Sequence, residues 1–117
     1  MSYTLAVWEG PRPASDAEAL ETFDALMERH QGATPGQEPT PAIARYVGTL
    51  LERYPDITGD DGEDSPWADG PLMNNATGPL FYFAMVYSQA EDASEFAAAM
   101  ASEQGLVCFD PQTGKLR

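Results

Sequence analysis

The chain is short of most of what marks a catalytic or cofactor-bearing protein. It has one cysteine, Cys108, and one histidine, His30. A lone thiol makes no internal disulfide and points to a reducing, cytoplasmic setting. No apolar run approaches the ~20 residues that a membrane span needs. The opening Met1-Ser-Tyr-Thr-Leu5 has no basic segment leading into an apolar run, so no signal peptide is expected. Without secretion, the Asn75-Ala-Thr77 sequon carries no glycan expectation.

Positive charge is the scarcest property. Six Lys and Arg stand against 19 Asp and Glu, a formal net charge of −13. No base lies between Arg53 and Lys115, whereas Asp56, Asp60, Asp61, Glu63, Asp64, Asp69, Glu91, Asp92, Glu95, Glu103 and Asp110 all do. Nucleic acid and anionic membranes attract Lys and Arg, so neither is an expected partner. Such a charge keeps a protein soluble and suits a basic protein partner.

Catalytic motifs are missing as well. His30 falls in the apolar stripe of a helical segment near its C-terminal end, where the helix dipole favours it. Cys108 sits among apolar residues of a strand, as a buried inert thiol does. A Cys108–His30 nucleophile pair is conceivable only if the fold brings the two together. The serines lie at caps and in loops, without a nucleophile elbow. No cofactor is implied, because Gly59, Gly62, Gly70 and Gly78 lie in acidic or polar settings that repel phosphate.

What the chain does have is Asp56-Ile-Thr-Gly-Asp-Asp-Gly-Glu-Asp-Ser-Pro-Trp-Ala-Asp69, in which six of fourteen residues are acids. The carboxylates are hard ligands of the kind Ca²⁺ and Mg²⁺ take. The EF-hand spacing fails: with Gly62 at the turn, the first and third ligand positions are Ile57 and Gly59, and the twelfth is Ala68. No metal site is expected. Trp67 gives the stretch its meaning. Either it folds back into the core and anchors the loop, or it stands out as a hot-spot aromatic ringed by charge. In the second case Asp60, Asp61, Glu63, Asp64, Trp67 and Asp69 form a partner-binding site. Asn74 and Asn75 would supply adaptable hydrogen bonds to it.

A single domain over residues 1–117 is expected. Tyr3 to Trp8 alternates as a strand, with Tyr3, Leu5 and Val7 on one side and Thr4, Ala6 and Trp8 on the other. Ser15-Asp-Ala-Glu18 is a capping box opening a helix with Leu20, Phe23, Leu26, Met27 and His30 inward, stopped near Gly32. Residues 33–39 form a linker. Thr40-Pro41 opens a second helix striped by Ile43, Tyr46, Val47, Leu50, Leu51 and Tyr54, which ends before Pro55. Pro71 to Ala76 reads as a short edge strand turning at Thr77-Gly78. Leu80 to Tyr87 reads as a covered central strand. Ser88-Gln-Ala-Glu91 reads as a second capping box, for a helix ending at Gly105. Leu106 to Phe109 is the last strand, closed by Asp110 to Gly114.

The order β-α-α-β-β-α-β is that of an α+β, ferredoxin-like domain. It predicts a four-stranded antiparallel sheet with helices on one face. The other face would be partly open, a candidate binding surface if Trp8 and Tyr82 lie on it. An open face or edge also allows a homodimer.

Three motifs carry a resemblance over most of the length. They are the Met-Ser-Tyr-x-Leu-x-Val-Trp opening (Met1 to Trp8), Ser65-Pro-Trp67 before Gly70-Pro-Leu72, and Gly105-Leu-Val-x-x-Asp-Pro-Gln112. In these the chain resembles a set of small acidic bacterial proteins without an assigned activity, chiefly actinobacterial. In size, acidity and lack of a catalytic set it is also similar to immunity proteins that neutralise secreted toxins. The resulting expectation is a non-enzymatic interaction protein that binds a basic protein partner. The alternative is a small-ligand or enzyme domain with a pocket between the sheet and the acidic loop, built from Asp64, Trp67, Asp69 and Tyr82.

Overall fold

The first strand, β1 (Ser2–Trp8), lies at the centre of a five-stranded antiparallel sheet. The computed structural model describes residues 2–31, 38–56, 65–68 and 71–117, without the side chains of Ser2, His30 and Gln31. β3 (Leu80–Val86) pairs with β1 along its whole length, Ser2 opposite Val86 and Trp8 opposite Leu80. β4 (Val107–Asp110) takes the other edge of β1 over Ala6 to Trp8. β2 (Ala76–Thr77) flanks β3, and β5 (Lys115–Leu116) flanks β4, giving the order β2-β3-β1-β4-β5.

The architecture is α+β with three α-helices among the described residues, and it corrects two expectations. The sheet has five strands rather than four, because Asp110 to Gly114 is a hairpin turn and not a closing tail. Gly114 takes φ +68° there and its N–H reaches the Asp110 carbonyl at 2.8 Å. The helices do not all lie on one face. α2 (Pro41–Arg53) and α3 (Tyr87–Glu103) cover the side bearing Leu5, Val7, Phe81, Phe83, Met85 and Cys108. α1 (Asp16–Gln31) covers the other side, packing Ala19, Phe23, Leu26 and Met27 against Ala6, Trp8, Tyr82 and Phe109. The face expected to be open is therefore a second core. Phe23 seals it, 5.8 Å from the Tyr82 ring and 5.4 Å from Phe109. The reason is visible in the strands: Trp8 and Phe109 are large and apolar on that side, and burying them needs a second helix layer.

The alternation within the strands is as expected. Leu5 and Val7 enter one core; Ala6 and Trp8 enter the other. Local starts and stops are mixed. Ser15 Oγ accepts from Glu18 N at 3.2 Å, while Glu18 Oε2 accepts from Ala14 N at 3.1 Å, so the first box closes one residue early. Leu20, expected inside, is 44% exposed, and Ala19 takes the buried position. Thr40 caps α2 through Ile43 N at 3.3 Å, with Pro41 leading the helix. The second capping box does not form. α3 begins at Tyr87, Val86 is its N-cap, and Ser88 lies inside the helix. Gly105 ends α3 in the left-handed region, φ +74°, as expected. The expected edge strand from Pro71 is mostly a 3-10 turn, Leu72–Asn75, with only Ala76 and Thr77 paired to β3. The expected Gly32 stop falls outside the described residues.

Candidate functional site

Trp67 takes the anchoring role. Its side chain is fully buried, with Phe83 and Tyr54 edge-on at 5.9 and 5.8 Å. The indole N–H points to the Tyr54 carbonyl at 3.4 Å. Its own segment extends the sheet: Ala68 N donates to Ala84 O at 2.9 Å, and Val86 N to Pro66 O at 2.8 Å. Asp56 accepts from Leu72 N at 3.1 Å, tying the start of the acidic stretch to the 3-10 turn. Asp56 and Trp67 are thus each tied to the body of the protein. A contact site that needs an exposed Trp67 is corrected by this burial. Asn74 is exposed and Asn75 half-buried on the 3-10 turn. Asp60, Asp61, Glu63, Asp64 and Asp69 lie outside the described residues.

The pocket expected from Trp67 and Tyr82 does not form between them. The two side chains belong to cores on opposite faces of the sheet. Among the described residues, no group of three or more His, Cys, Asp or Glu side chains is placed to hold a metal ion. Cys108 is buried, and burial pushes its thiol up to about 12, so it is no nucleophile near neutrality.

The structure brings together a different set, at the end of the sheet where β1 starts and the β4–β5 hairpin turns. Asp110 is buried at its centre. Oδ1 accepts from Gln112 N at 2.9 Å, Gln112 Nε2 at 2.6 Å and Thr113 N at 3.3 Å. Oδ2 accepts from the Tyr3 hydroxyl and faces Arg117 NH1 at 3.8 Å. Burial works to raise the Asp110 pKa, but these hydrogen bonds outweigh it and hold the carboxyl below its usual value. Tyr3 moves the opposite way. Its burial, its bond to Asp110 and the Asp110 charge all disfavour the phenolate.

Gln112 does a second job. β4 leaves β1 after Ala6, so the β1 backbone beyond it lacks a strand partner on that edge. The Gln112 amide takes the strand's place: Thr4 N donates to Oε1 at 2.6 Å, and Nε2 donates to Thr4 O at 2.7 Å.

Beside this network lies a cleft of about 360 Å³ between the start of β1, the end of β5 and one stripe of α3. Tyr3 and Arg117 form one wall. Tyr87, Glu91 and Glu95 form the other, one helical turn apart, with Ala90 and Ser94 buried between them. Tyr87 is 53% exposed. Tyr3, Tyr87, Asp110, Gln112 and Arg117 were not among the expected site residues. The one local signal was Asp110-Pro-Gln-Thr-Gly114, whose Asp at a turn start favours side-chain bonding to the backbone two residues on.

Comparison with protein-family models, with curated proteins and with solved structures finds no match for this chain. No described helix is long and apolar enough to cross a membrane.

Proposed function

We propose that the protein is a non-enzymatic interaction domain that binds a basic protein partner, in the manner of an immunity protein. The carrying observation is uncompensated acid. Glu91, Asp92, Glu95 and Glu103 are all exposed on α3. The ion pair formed among the described residues is Arg117 with Asp110, which leaves these four carboxylates without a cation. The docking surface is centred on these carboxylates of α3; Asp60, Asp61, Glu63, Asp64 and Asp69, which lie outside the described residues, add acid in sequence, and Asn74 and Asn75 offer polar groups to the same partner. Trp67, fully buried, serves as an anchor for its own segment rather than as a contact residue. A ferredoxin-like fold, with the fifth strand as an addition, is compatible with the strand order. The buried free thiol of Cys108 suits a reducing cytoplasm.

Charge complementarity speeds encounter and fades with salt. Pull-down from the source lysate at low salt is expected to recover a basic protein that is lost at ~0.5 M salt, where the screening length is only a few Å. Asp92→Asn with Glu103→Gln is expected to weaken the capture without changing the fold. Recovery of no basic protein at either salt concentration would overturn the reading.

A further inference from the structure

The cleft beside Asp110 has walls of opposite charge that do not meet. Arg117 stands on one side and Glu91 and Glu95 on the other, yet the guanidinium pairs with Asp110 and with neither glutamate. Arg117 is held in place. Its backbone N–H donates to Cys108 O at 2.8 Å, its carbonyl accepts from Arg12 NH1 at 3.4 Å, and its own NH1 reaches the Tyr3 hydroxyl at 3.5 Å. All its described side-chain contacts use NH1, so the Nε and NH2 donors remain for a ligand. The glutamates have no hydrogen bond or ion pair to their carboxylates among the described residues. Ser94, between them, donates its hydroxyl to the Glu91 carbonyl at 3.2 Å.

We infer that this cleft binds a free basic α-amino acid, of which lysine is the simplest form. The free polar groups of the cleft correspond one to one with those of the ligand. The ligand carboxylate meets the outer edge of Arg117, and its two cationic groups meet Glu91 and Glu95. The aliphatic stem lies along Ala90, with Tyr3 and Tyr87 on either side supplying apolar and cation–π contact. The volume of about 360 Å³ lies at the small end of the ligand-site range. A simple organic cation fits less well, because it leaves the free Nε and NH2 donors of Arg117 without an acceptor. A neutral zwitterion leaves one glutamate unmatched. The inference shares Glu91 and Glu95 with the partner reading, but the two fail separately, since lysine binding needs no protein partner and the capture variants Asp92→Asn and Glu103→Gln lie outside the cleft lining.

The test is an amide-shift titration of the intact chain with four compounds. L-lysine carries all three charges. Nα-acetyl-lysine lacks the α-ammonium and mimics the last residue of a polypeptide. 1,5-Diaminopentane lacks the carboxylate, and norleucine lacks the side-chain cation. Lysine is expected to bind with a dissociation constant of about 1 mM, in keeping with its small size. Shifts should centre on Tyr3, Tyr87 and Ser94. Each other compound should bind about tenfold more weakly, the scale of one charge-assisted hydrogen bond. Arg117→Gln should bring lysine down to the level of diaminopentane. Glu91→Gln with Glu95→Gln, both on exposed positions, should abolish binding while the melting temperature stays near that of the parent. Absence of shifts at ~20 mM lysine, some twentyfold above the expected constant, would overturn the inference. So would equal binding of diaminopentane, or of acetyl-lysine, which would assign the cleft to a bare cation or to a chain end.

Discussion

At the scale of single residues, two buried side chains make opposite demands. Trp67 contributes through apolar contact with Tyr54 and Phe83 and through one indole hydrogen bond. Trp67→Ala is expected to cost about 3–5 kcal/mol, the usual range for emptying a buried aromatic position. A lowered urea midpoint measures it, and an unchanged midpoint would show that the loop packs without its anchor. Asp110 contributes through hydrogen bonds to its charged form. Asp110→Asn is expected to cost about 1–3 kcal/mol at neutral pH by leaving donors poorly matched. Because the folded state lowers the Asp110 pKa, its contribution is fully present above the ordinary carboxylate value of about 4, declines below it and is lost as pH falls through the lowered folded-state value. The gap between parent and Asp110→Asn in urea midpoint should therefore shrink from pH 7 to pH 3. Cys108 gives a simpler expectation. With its thiol pushed up to about 12 and buried, it should resist a thiol reagent at pH 8 in the native protein and react fully in denaturant.

At the scale of elements, the ends of strands and helices decide more than their middles. Gln112 completes β1 where β4 departs, so Gln112→Ala removes two backbone partners of Thr4 as well as a donor to Asp110. Hydrogen exchange at the Thr4 amide is expected to quicken, while Leu5 and Val7, paired with Phe83 and Phe81 of β3, stay protected. Exchange of Thr4 at the parent rate would deny Gln112 its strand-like role. The ends are also where sequence patterns misled. Ser88 and Glu91 have the spacing of a capping box, yet α3 starts at Tyr87 because β3 runs straight into it at Val86. Pro71 to Ala76 alternates too weakly to specify a strand, and the 3-10 turn there is held instead by Asp56 on the Leu72 amide.

At the scale of the whole molecule, the formal charge of −13 acts against compaction. Raising salt from ~10 mM to ~0.5 M shortens the screening length from about 30 Å to a few Å. The melting temperature should rise across that range. The same change should release a basic partner, so salt would strengthen the fold and weaken the complex together. A melting temperature that falls with salt would mean that attractive ion pairs dominate. The architecture argues otherwise, since Arg117 with Asp110 is the ion pair formed among the described residues.

Much of this was legible along the chain. The α+β class, the two alternating sides of β1, the Thr40 cap and the Gly105 stop all follow from interactions within a few residues. Period-two alternation, a side chain reaching a nearby amide, and a glycine free to take positive φ need no distant partner. The acidity too is written in composition. What only the tertiary structure decided rests on contacts across the chain. The second helix layer exists because Phe23 meets Tyr82 and Phe109, far apart in sequence. Trp67 turned inward because Tyr54 and Phe83 offer it edges and a carbonyl. The Asp110 network joins Tyr3 and Thr4 to Gln112 and Arg117 from opposite ends of the sequence. No local pattern brings those ends together; β1 does, by accepting β4 at its side.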